Sequence, residues 1–246
     1  MNNTWVGKLF NIIAGLASII GVFYLFFTDK ENGVIALCAF CVFLFFLLVA
    51  IWLGIYKLIR KEHPIDYKKI TVFTSYETND GIHGIYEVFK VIQSKRLILH
   101  QIEHNFKWTG SKMPEVSSEL QEIKEVKEST ANEYDKAILL LKRPLGYNET
   151  GTIHFKALTD DFDDKAQPHL DFKVDNVVNV IHFRVTLKHK ENFSQPAKLL
   201  KKPIESKIPA EYEQYGSVSF DKQSKSYQYY LTDPEIGYYY RLEWEK

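Results

Sequence analysis

Two long apolar runs at the start of the chain constrain its fold more than any other feature. The first is Leu9–Phe27, and the second is Val34–Tyr56, which contains no charged residue. A helix needs about 20 apolar residues to cross the hydrocarbon core of a bilayer. Only Thr28–Gly33 separates the runs, so the sequence predicts a hairpin of two transmembrane helices, at about residues 9–27 and 34–58. This hairpin is the predicted first domain, residues 1–63.

The distribution of basic residues predicts the orientation of the hairpin. Basic residues crowd the exit of the second helix, whereas the connecting turn holds one lysine and two acidic residues. Because basic residues accumulate on the cytoplasmic side of a membrane, both termini are predicted to be cytoplasmic, with the helices in a bacterial inner membrane. The same side chains are predicted to contact anionic headgroups of the lipid bilayer. They are Lys57, Arg60, Lys61, Lys68 and Lys69.

Small residues at four-residue spacing in the first helix predict close helix packing, which an asparagine would support with an interhelical hydrogen bond. The residues are Asn11, Ala14, Ala17, Ser18 and Gly21. The spacing suits packing inside one hairpin and also packing between copies of the chain. Two helices do not enclose a pore, so a direct role in membrane permeability would require a homo-oligomer.

Composition narrows the function of the remaining chain. There are 31 basic and 31 acidic residues, so no bulk positive field attracts nucleic acid. Any nucleotide would have to be bound by a local pocket. The two cysteines, Cys38 and Cys41, both lie in the second apolar run, and a cysteine-free remainder suits a reducing cytoplasm.

From Lys69 onward, apolar and polar residues alternate, which predicts β-strands. Strands are predicted at Ile70–Tyr76, Ile85–Ile92, Leu97–Trp108, Lys136–Lys142, Thr152–Leu158, Val177–Lys188, Ser217–Phe220, Tyr227–Leu231 and Tyr238–Trp244. Asn79–Gly81 and Asp233–Gly237 predict turns. Apolar residues three apart predict one short helix, Ser117–Lys127, and Lys198–Lys202 is predicted to be a loop. The second domain, residues 64–246, is therefore predicted to be a mainly-β cytoplasmic domain, a β-sandwich or barrel of about eight to ten strands.

The β-rich region lacks the common catalytic motifs, which predicts a protein that is not an enzyme and that uses no cofactor or metal. One zinc-peptidase pattern does match, because His100–His104 reads H-x-x-E-H. That chemistry requires a helix, whereas alternation here places His100, Ile102 and His104 on one face of a strand. The two histidines would then lie about 13 Å apart, too far for one zinc ion. The acidic run Asp160–Asp164 lacks the ligand spacing of a calcium loop and is predicted to be a solvated turn.

Five residues are candidates for ligand binding. Trp108 ends a predicted strand, where its ring can stack on a base while nearby cations meet a phosphate. The candidates are Arg96, His104, Lys107, Trp108 and Arg143. A tryptophan that caps the core is the competing interpretation. Tyrosines predicted to lie at the surface suit either a pocket or a protein interface; they are Tyr227, Tyr229, Tyr230, Tyr238, Tyr239 and Tyr240.

The layout of a two-helix hairpin, a basic juxtamembrane segment and a cytoplasmic β-rich domain resembles the two-transmembrane, β-rich membrane effectors of bacterial anti-phage defence. In the CBASS-type systems, which signal through cyclic oligonucleotides, such an effector has a β-barrel that binds a cyclic nucleotide. The resemblance implies that ligand binding drives oligomerisation and disruption of the inner membrane, which causes abortive infection. It rests on layout and transfers no binding residue.

Three alternatives to a cyclic-nucleotide sensor stay open at the level of sequence. One is a two-helix membrane toxin that a protein or ribonucleoprotein partner restrains until infection, as in retrons. Another is a structural component of a bacterial envelope assembly, which would reside in the membrane without toxicity. The last is a membrane-anchored zinc peptidase built on His100 and His104, which would bind zinc stoichiometrically.

Overall fold

The computed structural model describes Gly15, Gly21 and residues 30–62, 65–128, 134–191, 193–204 and 211–246. The chain divides into two compact units, Met1–Glu62 and His63–Lys246. This boundary lies one residue before the one predicted from the sequence, which followed His63. Each unit has its own structure.

The first unit contains one described helix, α1, at Lys30–Glu62. Its segment Leu37–Lys61 is long and apolar enough to cross a membrane, and none of it is buried against the protein. A long, mainly apolar helix with exposed side chains suits a lipid environment. Cys38 and Cys41 lie on this helix as free, exposed thiols.

The predicted hairpin is shown only in part. The second helix begins earlier than expected, because Lys30–Gly33, predicted to belong to the turn, forms the first turn of α1. The predicted first helix, with Asn11, Ala14, Ala17 and Ser18, lies outside the described residues; Gly15 and Gly21, which are described, are helical.

The second unit is built from strands, which confirms the prediction of a mainly-β domain. The described strands are β1 Tyr67–Thr78, β2 His83–Ser94, β3 Ile98–Phe106, β4 Glu115–Ser117, β5 Gln121–Lys127, β6 Asp135–Gly146, β7 Thr150–Asp160, β8 His169–Val174, β9 Val180–Leu187, β10 Ala197–Pro203, β11 Glu213–Val218, β12 Ser226–Thr232 and β13 Tyr238–Glu243.

The strands form three open sheets. The largest has six strands in the order β12-β9-β1-β2-β7-β4, the second has four in the order β11-β10-β13-β8, and the third has three in the order β3-β6-β5. Neighbouring strands are antiparallel except β1 and β9, which pair in parallel from Thr71 with Val180 to Thr78 with Leu187. No described sheet closes on itself, so the barrel alternative is not seen in this part of the chain.

One hydrophobic core joins the three sheets. Phe155, Phe183 and Ile92 come from the six-stranded sheet, Leu242 from the four-stranded sheet and Leu139 from the three-stranded sheet, and all are almost fully buried. Alternation along each strand directs these side chains inward, as the sequence predicted.

The predicted short helix Ser117–Lys127 is wrong, since this segment forms β4, a turn and β5. Residues three apart lie on opposite faces of a regular strand. A β-bulge between Ile123 and Glu125 shifts the register, so Ile123 and Val126 both pack against the core. The bulge thus reproduces the three-residue spacing of a helix. Lys198–Lys202, predicted to be a loop, is likewise part of a strand, β10, because Leu199 and Leu200 between its lysines are buried.

A second bulge overturns the face predicted for the H-x-x-E-H segment. The register of β3 with β6 shifts between Leu99 and Gln101. Ile98 and His100 are therefore exposed, whereas Ile102 and His104 point into the core. The two histidines do not share a face, and the segment is a strand, as predicted.

The two predicted turns are confirmed, but one of them has an unexpected role. Gly81 follows β1 with a φ of 85°. Asp233 and Gly237 have φ values of 46° and 91° in the turn between β12 and β13. These strands belong to different sheets, so this turn carries the chain from one layer to another.

Candidate functional site

The β domain contains a cavity of about 860 Å³ lined by strands from all three sheets. Tyr76 and Thr78 come from β1, Phe106 from β3, and Asp171 and Arg241 from the neighbouring strands β8 and β13. This volume lies within the range of sites that bind small molecules and cofactors. The cavity is therefore the leading candidate for a functional site.

An ion pair between Arg241 and Asp171 organises one wall of the cavity. Arg241 donates from Nε to Asp171 Oδ1 at 2.6 Å and from Nη2 to Oδ2 at 2.9 Å. The two residues are directly paired across β13 and β8, which fixes this two-point geometry. The guanidinium carbon also lies 4.0 Å from the centre of the Tyr212 ring, a cation–π distance. Burial alone would lower the pKa of Arg241, but the bond to Asp171 raises it.

Tyrosines surround this ion pair and remain protonated. Tyr212 donates its hydroxyl to Asp171 Oδ2 at 3.1 Å. Burial and the Asp171 carboxylate raise the pKa of Tyr212. Burial also raises the pKa of Tyr134, with a smaller contribution from the neighbouring Tyr239. The wall therefore offers neutral aromatic rings and hydroxyl groups rather than phenolates.

The charges on the cavity wall do not all cancel locally. Lys246 is neutralised by Asp161 at 2.8 Å and by Asp164 at 2.5 Å. Lys202 has no such partner among the described carboxylates; its Nζ lies 4.4 Å from the ring centre of Tyr212 and 5.3 Å from that of Tyr239.

Two further lining lysines, Lys107 and Lys190, also lack a described ion pair. Among the lining carboxylates, Glu245 has no described ion pair and Asp80 pairs only with His83. The lining holds five lysines and arginines and five aspartates and glutamates, so its formal charges balance. Within this balanced wall, Lys202 lies beside two aromatic rings without a described carboxylate partner.

Two buried nitrogen atoms at the cavity, an indole N–H and a histidine ring nitrogen, have no hydrogen-bond partner among the described residues. They are Trp108 Nε1, whose ring packs closely against Gly110, and His189 Nδ1. Burying an unpaired polar atom costs about 1–3 kcal/mol, so these two atoms favour a hydrogen-bonding partner brought by a ligand or by water.

The structure brings together only two of the five predicted ligand-binding residues. Lys107 and Trp108 line the cavity, whereas Arg96, His104 and Arg143 do not. Arg96 binds Asp66, with Nε to Oδ1 at 2.7 Å, and Arg143 is an exposed residue paired with Glu149. Each of these arginines forms an ion pair with a carboxylate outside the cavity.

His104 lies in the core, where it contacts a lysine instead of a ligand. Its Nδ1 is 2.8 Å from Lys90 Nζ, and both side chains are buried. Burial, followed by the charges of Lys90 and Lys69, lowers the pKa of His104 well below its usual range. The same burial lowers the pKa of Lys90 to about 7.

Sequence reasoning missed Lys202, Tyr134, Tyr212 and Asp171. From the sequence, Tyr239 suited a pocket or a protein interface and Arg241 suited a pocket or the surface, and nothing in the pattern decided between these. The alternating pattern around Arg241 predicts a strand but does not indicate which residue lies opposite it. Only the register of β13 with β8 shows that this residue is Asp171. The tyrosines predicted at the surface also divide, since Tyr227 and Tyr240 are buried, whereas Tyr230 is 61% exposed.

The predicted membrane-proximal cations do not form one group. Lys57, Arg60 and Lys61 lie in the last turns of α1, and Lys68 and Lys69 belong to β1. Lys69 is mostly buried and pairs with Asp175 at 2.8 Å, so headgroup binding by Lys69 is a wrong prediction. Among the described residues, no group of three histidine, cysteine or acidic side chains is placed to hold a metal ion.

No protein-family model matches the sequence, and no curated protein sequence does either. Among solved structures, an M1 zinc metallopeptidase from Deinococcus radiodurans is similar over 72% of this chain and 42% of its own, with 10% identity and a TM-score of 0.38. Yeast LTA4 hydrolase matches over 72% of this chain and 28% of its own, with 6% identity and a TM-score of 0.38. Baculovirus P35 matches over 75% of this chain and 99% of its own, with 10% identity and a TM-score of 0.36.

These matches contradict the prediction that the chain is not an enzyme, because the metallopeptidases among them are enzymes, and that prediction is withdrawn. The chain spans less than half the length of those metallopeptidases. With TM-scores below 0.5, the matches assign no reaction, substrate or metal to this chain.

Proposed function

We propose that this chain is a membrane-anchored sensor and effector of bacterial antiviral defence. In this proposal the cavity of the β domain binds an anionic ligand that carries aromatic rings, with a cyclic oligonucleotide as the first candidate. The helices Leu9–Phe27 and α1 form a hairpin in the inner membrane with both termini in the cytoplasm. Ligand binding leads the oligomerised helices to disrupt that membrane, which ends in abortive infection.

One observation carries the ligand-binding half of the proposal, namely the combination of groups around Lys202 and Arg241. Lys202 is a cation without a described carboxylate partner, and Tyr212 and Tyr239 place aromatic faces beside it. Trp108 adds a buried N–H donor that has no partner in the described part of the chain. Phosphate, base and exocyclic acceptors of a nucleotide would satisfy these three kinds of group together.

The ligand half is tested by binding to the full chain in detergent. Cyclic di- and trinucleotides are titrated while thermal unfolding of the β domain is followed. A ligand at 100 times its Kd stabilises the protein by about 2.7 kcal/mol, and we expect one compound to do so selectively. Lys202→Met should abolish the shift, whereas Lys198→Met, on the same strand but exposed and away from the cavity, should leave it intact.

No selective shift with any compound would overturn the nucleotide part and would leave a protein partner as the trigger. The effector half is tested in bacteria that express the full chain with and without the identified ligand. Membrane potential should collapse only when the ligand is present, and Lys202→Met should prevent the collapse. An intact potential in the presence of ligand would refute the effector role without touching the binding result.

A further inference from the structure

One edge strand of the β domain lacks the charges, prolines and bulges that commonly keep an edge from pairing with another chain. β12 reads Ser-Tyr-Gln-Tyr-Tyr-Leu-Thr and contains no charged residue, glycine or proline. Its pairing with β9 is continuous from Ser226 to Thr232, without a bulge. Tyrosine and threonine favour extended backbone on a pleated surface. β12 is therefore a regular, bulge-free strand at the end of the six-stranded sheet.

The other described edges are blunted in ways that proteins commonly use. β4, at the opposite end of the same sheet, has three residues. β8 carries Asp171 and Lys173, and β5 carries four charged residues in seven. The pairings of β3 and of β11 with their neighbours are broken by register shifts. β12 stands apart from all of them.

The hydrogen bonds next to β12 show which of its backbone groups face outward. Leu187 N donates to Lys225 O at 2.9 Å, and Asp233 N donates to Asn179 O at 2.7 Å. In this register, odd-numbered residues of β12 bond to β9, because bonded pairs alternate along an antiparallel ladder. Even-numbered residues therefore point their N–H and C=O groups to the other side.

Ser226 agrees with this alternation, since both its N–H and its C=O bond to Asp221 on the outer side. Beyond it, the outward groups of Gln228, Tyr230 and Thr232 have no backbone partner among the described residues. Three successive outward pairs of donors and acceptors are thus open on a strand without charge.

We propose that this edge pairs with β12 of a second copy of the chain, antiparallel and about a two-fold axis through Tyr230. In this register Tyr230 lies opposite its own copy and Gln228 lies opposite Thr232, so all the open groups find partners and no charge is opposed. The pairing joins two six-stranded sheets into one. It requires no ligand, so it goes beyond the proposed function and stands independently of it.

The side chains of the sheet face support the same partner. Tyr230 is exposed and stacks on His182, with ring centres 4.0 Å apart, and His182 lies 4.8 Å from Phe73. A second copy would set its own Tyr230 beside this one and extend the aromatic row across the joint. Aromatic cross-strand pairs of this kind stabilise antiparallel sheets.

Disulfide trapping tests the register directly, using the full chain in detergent without ligand. The native thiols are removed by Cys38→Ala and Cys41→Ala, and Tyr230→Cys is added. Directly opposite residues have Cα atoms about 5.5 Å apart, which suits a disulfide. We expect mild oxidation to convert most of this variant to a covalent dimer. Gln228→Cys is the matched control, because two copies of residue 228 would lie about 13 Å apart, and we expect no dimer.

In the Tyr230→Cys background, Gln228→Pro removes an outward N–H but none of the hydrogen bonds to β9, so it should abolish the covalent dimer. Gln228→Thr keeps that N–H and should preserve the dimer. If Gln228→Pro does not fold, Gln228→Lys places a protective charge on the edge and should have the same effect. Equal crosslinking of the two cysteine variants, no crosslinking of either, or an undiminished yield with proline and lysine would overturn the proposal. An additional failure of nucleotide binding would concern the cavity alone.

Discussion

The buried contact between Lys90 and His104 makes the stability of the β domain depend on pH in a defined direction. Lys90 is 9% exposed, and burial lowers its pKa from 10.5 to about 7. The nearby charges are Lys69, which lowers the pKa further, and Asp175, which raises it. Between pH 7 and pH 10.5 the unfolded chain therefore binds a proton at Lys90 that the folded domain does not.

Stability must rise with pH in that window, because the unfolded state binds more protons than the folded state. A full pH unit is worth about 1.4 kcal/mol, and the folded group is half titrated at the start, so Lys90 should contribute a gain of about 2 kcal/mol between pH 7 and pH 9. Stopping at pH 9 avoids the tyrosines, whose raised pKa values act in the opposite direction above pH 10.

The assay is urea unfolding of residues 63–246, which form a compact unit with a core of their own, at pH 6, 7, 8 and 9. With a slope of about 2 kcal/mol per molar urea, the expected gain moves the midpoint by about 1 M. Lys90→Met should remove this gain and raise stability most at the lowest pH, even though it leaves His104 Nδ1 without a partner. Lys198→Met, at an exposed position, should preserve the gain. Parallel pH profiles for the wild type and Lys90→Met would refute the reasoning.

Three further perturbations follow from the structure. Asp171→Ala removes the two-point partner of Arg241 and should lower the free energy of unfolding by about 2 kcal/mol. Lys173→Ala, exposed on the same strand, should have little effect. Equal effects of the two variants in urea unfolding would argue against the ion pair as the organiser of the wall. Gly84→Ala places a Cβ 2.5 Å from the Tyr76 ring and hydroxyl, so it should destabilise the folded β domain by about 1–3 kcal/mol. An unchanged melting temperature would contradict this close approach. Leu48→Arg puts a charge in the middle of α1 and should make membrane insertion less favourable by about 2.5–3.5 kcal/mol. The inserted fraction in a membrane-integration reporter should therefore fall sharply. Insertion at the wild-type level would argue that α1 does not span the bilayer.

The mainly-β nature of the second unit was readable from the sequence because period-two alternation follows directly from one buried face. The errors lie where the backbone departs from that period. A bulge makes Ile123 and Val126 imitate helical spacing, and a bulge at the start of β3 places His100 and His104 on opposite faces. Bulges carry no residue signature here, so the pattern alone could not locate them.

Only the site residues that are neighbours in the sequence could be predicted. Lys107 and Trp108 were found because they follow one another at the end of a strand. Lys202, Tyr212 and Asp171 were missed because strands distant in the sequence bring them together. His104 was misassigned since a histidine that faces a core and one that faces a ligand look the same in a sequence.

The parallel pairing of β1 with β9 has a consequence for how this chain folds during synthesis. Thr71 pairs with Val180, so the central strand of the largest sheet lacks one neighbour until the ribosome has made more than a hundred further residues. Contacts of such sequence separation slow folding, and a strand that waits with one open edge is prone to wrong association. If α1 spans the bilayer as proposed, the chain is tethered before its β domain can close, because α1 precedes β1 and emerges first. Nascent chains would then be held apart at the membrane during the interval in which β1 is most vulnerable.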